Sequence, residues 1–248
     1  MPDLGQRLFK AREAAKLTVL NQLRRRGLDI TRNPFSTQLK QILDHQGIES
    51  VLDIGANIGQ YGATLRSSGF SGRIVSCEPQ SAAYELLTQR TDKDPKWKAL
   101  NTAAGAMPGS LEINISANSF SSSFLPTSKL HLDIAPASRT TGTETVAVTT
   151  ADAVISEQSL DPTRTLLKVD TQGFEDQVLD GAHASLPTLA AVQLEMSLAT
   201  IYEGQKLFGA LLARMTDAGF SLYALEPGFA DPRNGQLLWC DGVFVRAR

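Results

Sequence analysis

The chain has 248 residues, 42% of them hydrophobic and 20% charged, a composition that suits one globular α/β domain with room for an N-terminal extension. Its 24 basic and 26 acidic residues leave a formal charge of -2, which removes the electrostatic case for binding nucleic acid. Cys77 and Cys240 are the only cysteines, too few for a disulfide framework or a Cys-rich zinc site, and they point to a reducing cytoplasm. No stretch reaches the roughly 20 apolar residues of a membrane span, and the polar start Met1–Arg7 is not a secretory signal.

Leu4 to about Leu28 is rich in Ala, Leu, Gln, Lys and Arg and reads as one or two helices ahead of the sheet domain. Its basic residues, Arg24-Arg25-Arg26 with Lys10, Arg12 and Lys16, suit a solvated face beside a core-facing or dimer stripe, with contact to an anionic membrane surface as the alternative. Asn33-Pro34-Phe35-Ser36 breaks this pattern, which places a boundary between an extension, 1–34, and a main domain, 35–248. Thr37 to His45 carries Leu39, Ile42 and Leu43 at helical spacing.

The run Val51-Leu52-Asp53-Ile54-Gly55-Ala56-Asn57-Ile58-Gly59 is an apolar strand that breaks into a glycine-spaced turn before a helix. Such a corner is expected to aim free backbone N–H groups and a helix dipole at a nucleotide-sized ligand. The dinucleotide fingerprint fails, because its third and sixth positions hold Asn57 and Gln60 instead of glycine. The acid at Asp53 would repel a pyrophosphate and suits an ammonium, which favours S-adenosyl-L-methionine with its amine and its cationic sulfur.

Arg73 to Pro79 reads as a second strand ending in Glu78, placed to grip ribose hydroxyls. Ser81 to Leu87 is a crossover helix and Trp97 to Leu100 a third strand. Ala103-Ala104-Gly105 follows, where small residues would let an adenine ring approach beside Glu78. Leu111 to Ile115 alternates as a half-buried strand, and Ser116 to Gly142 reads as a long loop rich in hydroxyls, a lid over the acceptor.

Thr165 to Asp170 is a buried strand ending in an acid, and Ala190 to Glu195 is another, so four acids are expected on one rim: Asp53, Glu78, Asp170 and Glu195. A helix is expected over Tyr202 to Ala218, and Phe220–Leu225 with Trp239–Val245 form an antiparallel pair closing the sheet.

Val51 to Gly59, Cys77-Glu78-Pro79, Ala103-Ala104-Gly105, the block Lys168-Val169-Asp170-Thr171-Gln172-Gly173-Phe174-Glu175, Val178 to Gly181 and Glu195 together resemble the FkbM-type methyltransferase family. The resemblance spans about Phe35 to Arg246. It implies the class I Rossmann-like fold, a seven-stranded, mostly parallel sheet with an antiparallel last strand, and transfer of a methyl group from S-adenosylmethionine to a hydroxyl, often of a sugar in a glycolipid or natural product. It implies that Asp53, Gly55, Asn57 and Gly59 line the methionine, that Glu78 holds the ribose, and that Asp170, Glu175 and Glu195 face the acceptor.

A hydroxyl acceptor needs a base. Asp170 or Glu195 fills that role better than His45, His131 or His183, whose positions suit surface or packing residues. The two carboxylates on adjacent strand ends, Asp170 and Glu195, could also bind Mg²⁺, which would hold a sugar diol and lower the pKa of its hydroxyl. Carboxylates crowded on one rim repel, and a cation or a raised pKa relieves that. Two other readings stay open, a nucleotide-dependent oxidoreductase and a cofactor-binding module without turnover.

Overall fold

The computed structural model describes residues 35–246, so the helical extension expected over Leu4–Leu28 lies outside the described residues. The compact unit that begins at Leu39 carries both sheets and the site.

Helix α1, Phe35–Gln46, buries Leu39, Ile42 and Leu43, the expected apolar stripe. Strand β1 (Ser50–Ile54) is buried at all five positions, as suits a strand covered on both faces. After it come α2 (Gln60–Ser67), β2 (Arg73–Cys77), α3 (Ser81–Thr91) and β3 (Trp97–Leu100). Later in the chain β7 (Thr165–Val169), α6 (Glu175–Asp180), β8 (Ala191–Ser197), α7 (Phe208–Asp217), β9 (Phe220–Pro227) and β10 (Trp239–Arg246) complete the main sheet.

The seven strands lie in the order β3-β2-β1-β7-β8-β10-β9, with the first five parallel. Strand β10 runs antiparallel to both of its neighbours. This is the expected seven-stranded, mostly parallel sheet with an antiparallel last strand. The order reverses beside β1, so β1 and β7 are the adjacent strands whose connections leave in opposite directions, the place where open α/β sheets bind ligands. The core joins Leu52 and Ile54 with Val75, Leu167, Val169, Val192, Leu194 and Phe244 from the sheet. Against it pack Val154, Val178, Leu211 and Met215 from helices, including α5 (Ala151–Glu157).

A second sheet departs from expectation. Ala103–Ala104 is not only a turn: it forms a two-residue strand, β4, which pairs with β6 (Thr140–Thr149), and β6 pairs antiparallel with β5 (Gly109–Ser116). The segment from Ser116 to Gly142, expected as one long loop, contains α4 (Lys129–Ile134), a single 3₁₀ turn at Pro136–Ser138 and the start of β6. Ser121, Ser122, Ser123, Ser128 and Ser138 are buried there, and hydroxyl-to-backbone bonds order the segment together with the packing of Phe124, Leu125, Leu130 and Ile134.

The helix expected from Tyr202 begins only at Phe208. Gly204 takes a left-handed φ of 81°, Tyr202 bridges to Thr127, and the Gln205 side chain accepts the Ile201 and Tyr202 amides. Among the described residues no helix is long and apolar enough to cross a membrane.

Candidate functional site

The corner after β1 is built from backbone strain and internal hydrogen bonds. Gly55 and Gly59 have φ of 81° and 86°, and Asn57 takes φ 47°, a left-handed conformation that asparagine tolerates. The glycines serve the protein and leave no cradle for a ligand: a Cβ on Gly55 would strike the Asp170 carbonyl, and one on Gly59 would meet Leu87 and Trp97.

Every amide from Gly55 to Gly59 is also spent. Gly55 and Ala56 donate to the Cys77 carbonyl, Asn57 to Glu78 Oε2 at 2.8 Å, Ile58 to Asn57 Oδ1 at 2.8 Å, and Gly59 to the Ala56 carbonyl. The expectation of free N–H groups at this turn is therefore corrected. The stretch Gly55–Gly59 therefore offers a pyrophosphate no free amide, whereas a cation or a hydroxyl meets acceptors.

Glu78 follows β2 and is buried. Its Oε1 accepts the Gln80 amide at 2.9 Å and the Gln80 side chain at 3.3 Å. Burial pushes its carboxyl up to about 7 against the pull of the Gln80 and Asn57 donors. Asn101 at the exit of β3 donates to the Glu78 and Pro79 carbonyls and fastens two strand ends together. Ala103 is buried in the core of the second sheet with Ile113, Val146 and Val148. Above the corner, the Ser119 carbonyl accepts from the side chains of both Asn57 (3.2 Å) and Gln80 (3.4 Å), and the neighbouring Phe120 is 59% exposed.

Asp53 lies behind the turn and is fully buried. Lys168 Nζ, on the neighbouring strand in register with it, sits 3.1 Å from Oδ1, an ion-pair distance without hydrogen-bond alignment. Oδ2 accepts Ser76 Oγ at 3.0 Å, which in turn accepts Trp97 Nε1. Burial works against the Lys168 charge, but Asp53 and Asp170 outweigh it and hold the ammonium protonated. Lys168 also donates to the Gly55 carbonyl at 3.2 Å and lies 3.5 Å from Asp170 Oδ2.

Glu78 and Asp170 follow the ends of β2 and β7, while Asp53 lies one residue inside β1 and Glu195 two residues inside β8, and Asp170, with its side chain 33% exposed, is more open than Lys168 at 5% or Asp53 at 0%. Beside it Gln172, at φ 57°, donates to Asp170 Oδ1 at 2.8 Å and to Glu195 Oε2 at 2.9 Å. Burial, then Asp170 and Glu175, raises the Glu195 carboxyl well above the usual range. Glu175 turns inward instead of toward the opening: its Oε1 accepts the Thr171 and Gly173 amides at 2.9 and 3.2 Å, and burial pushes it up to about 7.

Several members of the cluster were not singled out from sequence. Asp241 on β10 stands opposite Glu195 in register and is pushed up to about 7 by burial and then by Asp170. The Tyr61 phenol donates to Gln193 Oε1 at 2.8 Å, and Lys168 lies over its ring. His131 is a packing residue, buried between Tyr202 and Trp239 with Nε2 2.9 Å from Ser138 Oγ. Among the described residues no group of three or more His, Cys, Asp and Glu side chains is arranged to hold a metal ion, and the repulsion on the rim is relieved by Lys168, by Gln172 and by raised carboxyl pKa values.

A profile described as the methyltransferase FkbM domain matches residues 53–222, more than half of the chain and the stretch that holds the corner, the rim and Gln172. The chain belongs to the FkbM methyltransferase family.

No curated protein matches this FkbM-family chain. Among solved structures it is similar to a TehB-like S-adenosylmethionine-dependent methyltransferase from Corynebacterium glutamicum, at 12% identity and TM-score 0.40, with 96% of this chain and 100% of the other covered. An rRNA methylase from Streptococcus thermophilus is 10% identical at TM-score 0.47, covering 88% and 99%. Magnesium protoporphyrin IX methyltransferase from Synechocystis, solved with bound S-adenosylmethionine, is 10% identical at TM-score 0.46, covering 86% and 78%.

Proposed function

We propose that this FkbM-family protein is an S-adenosylmethionine-dependent O-methyltransferase whose acceptor is a hydroxyl of a small molecule, a sugar in a glycolipid or glycosylated natural product. The observation that carries the reading is the pairing of an acceptor-rich corner, Asn57 with Glu78, with a partly exposed carboxylate, Asp170, across the Gly55–Asp170 contact.

The chemistry of the corner fits the donor molecule: it offers carboxylate oxygens to ribose hydroxyls and to a cation, and its turn amides are not free for phosphate. In this assignment Glu78 takes the ribose, Gly55, Asn57 and Gly59 shape the wall beside the methionine, and Ala103 backs the exit of β3. Asp53 acts from behind, through Lys168. When bound, S-adenosylmethionine supplies an electrophilic methyl group on a cationic sulfur.

The chain's own residues then align the acceptor oxygen and remove its proton. Asp170 Oδ2 receives that proton, with the Lys168 ammonium 3.5 Å away. Glu195, held on the same amide, and Asp241 opposite it keep the neighbouring surface acidic, a lining that accepts hydrogen bonds from further hydroxyls of a sugar. Glu175 supports the loop that carries Asp170. The reading calls on no metal.

Titration calorimetry with S-adenosylhomocysteine and, separately, with NAD tests the donor half: binding of the first alone is expected, and binding of NAD alone overturns the reading. Incubation with isotopically labelled S-adenosylmethionine and a glycolipid extract, followed by mass spectrometry, tests the acceptor half, with label expected on a sugar oxygen. Label on nitrogen or carbon would replace the O-methylation assignment.

A further inference from the structure

Gln172 occupies an unusual place. It holds a left-handed backbone, φ 57°, between β7 and α6, and its carbonyl accepts Ser123 Oγ at 2.6 Å. Its side-chain amide carries two protons, and both are used, one on Asp170 Oδ1 and one on Glu195 Oε2. The orientation of the amide follows from its partners: two carboxylates from adjacent strands need donors, so the nitrogen faces them and Oε1 faces the Tyr202 phenol at 2.8 Å. Tyr202 is itself fixed, buried to 1% exposure and within 3.1 Å of the Ser121 carbonyl.

A neutral donor between two carboxylates is the arrangement that lets both stay close. A carboxylate in the same place would put a third negative group at hydrogen-bond distance from two others and would require an extra proton. An apolar side chain would leave two half-buried acceptors facing each other without a donor.

We propose that Gln172 is a positioning residue: its amide, oriented by Tyr202, ties Asp170 to Glu195 and holds the two carboxylates as one fixed pair at the acceptor side. The role rests on the methyl-transfer reading for its purpose, but the tie is a property of the ligand-free chain and is tested there. Donation from the amide favours the ionised form of each carboxylate, so removing it makes both harder to ionise.

The test is carboxyl titration by NMR of protein labelled with ¹³C at Asp and Glu side chains, with the Glu195→Gln and Asp170→Asn proteins identifying the two signals. In Gln172→Met the midpoints of both signals are expected to move up by about one pH unit or more. In Gln172→Glu, which keeps the shape, the protein is expected to carry one additional protonated carboxyl at neutral pH. Tyr202→Phe keeps the ring and frees the amide to turn, and is expected to shift the same two signals upward by less.

Variants are compared only after thermal melting shows them folded, and Tyr202→Phe serves where a Gln172 substitution does not fold. Unchanged Asp170 and Glu195 midpoints in a folded Gln172→Met or Tyr202→Phe protein would overturn the proposal. Failure of wild-type protein to bind S-adenosylhomocysteine, with the titration shifts present, would instead remove the functional reading and leave the tie standing.

Discussion

Gly55 and Asp170 meet so closely that a Cβ on the glycine would stand 1.8 Å from the Asp170 carbonyl oxygen. The contact joins the corner after β1 to the loop after β7, so the two halves of the proposed site are set against each other by backbone. Gly55→Ala must both leave φ 81° and push these strand ends apart. A loss of more than about 2 kcal/mol is expected in urea unfolding. Gly209→Ala is the control: it lies within α7, has nothing within 4 Å of its added Cβ, and is expected to gain about 0.5–1 kcal/mol from helix propensity.

The ion pair of Asp53 and Lys168 is buried on both sides. Lys168→Met leaves the carboxylate alone in the sheet and is expected to cost about 3–5 kcal/mol in chemical denaturation. Asp53→Asn combined with Lys168→Met is expected to recover a large part of that loss, because the uncompensated charge is gone.

Stability is expected to fall as pH rises through neutrality. Asp241 is pushed up to about 7 by burial first and Asp170 second, while Gln193 and Lys168 oppose the shift. An exposed aspartate titrates near ~3.9, so the folded chain holds this proton more tightly than the unfolded one. The contribution is full below about pH 4 and is lost as pH rises through about 7. Glu78 and Glu175, also pushed up to about 7, act with the same sign. Asp241→Asn removes one of these groups. Denaturation at pH 5 and pH 8 is expected to show the variant gaining on wild type by on the order of 1 kcal/mol at the higher pH and not at the lower.

Asp170→Asn separates chemistry from binding. The substitution keeps the shape beside Gln172 but removes the proton acceptor, and label transfer into the glycolipid extract is expected to drop by about 100-fold or more. Affinity for S-adenosylhomocysteine, measured by calorimetry, is expected to stay within a few-fold. Adding EDTA to the wild-type reaction is expected to leave turnover unchanged, since the charges on the rim are already met by Lys168 and Gln172.

Much of this arrangement was legible in the residues. Four apolar runs ending in Asp53, Glu78, Asp170 and Glu195 are read at once as parallel strands, and parallel strands bring their ends to one rim whatever their order. What stayed hidden needed a register or a local bond. Asp241 faces Glu195 only because β10 runs antiparallel in one register, which the sequence of β10 does not encode. Lys168 meets Asp53 only because β1 and β7 pair in register, a neighbour that neither strand names in its own sequence. The glycine corner reads as a donor nest, yet the Asn57 side chain and Glu78 consume its amides. Ser116 to Gly142 lacks periodicity because buried serine hydroxyls share its ordering with irregularly spaced apolar residues, Phe124, Leu125, Leu130 and Ile134.

One carbonyl, that of Ser119, answers side-chain amides from both the turn after β1 and the segment after β2, and Glu78 lies buried underneath. The same Asn57 and Gln80 residues also donate to that carboxylate, so the Ser119 segment and Glu78 share their partners. If Glu78 takes the ribose as proposed, the two bonds to the Ser119 carbonyl are what its ligand would displace, and association would level off at high ligand concentration at the rate of their parting.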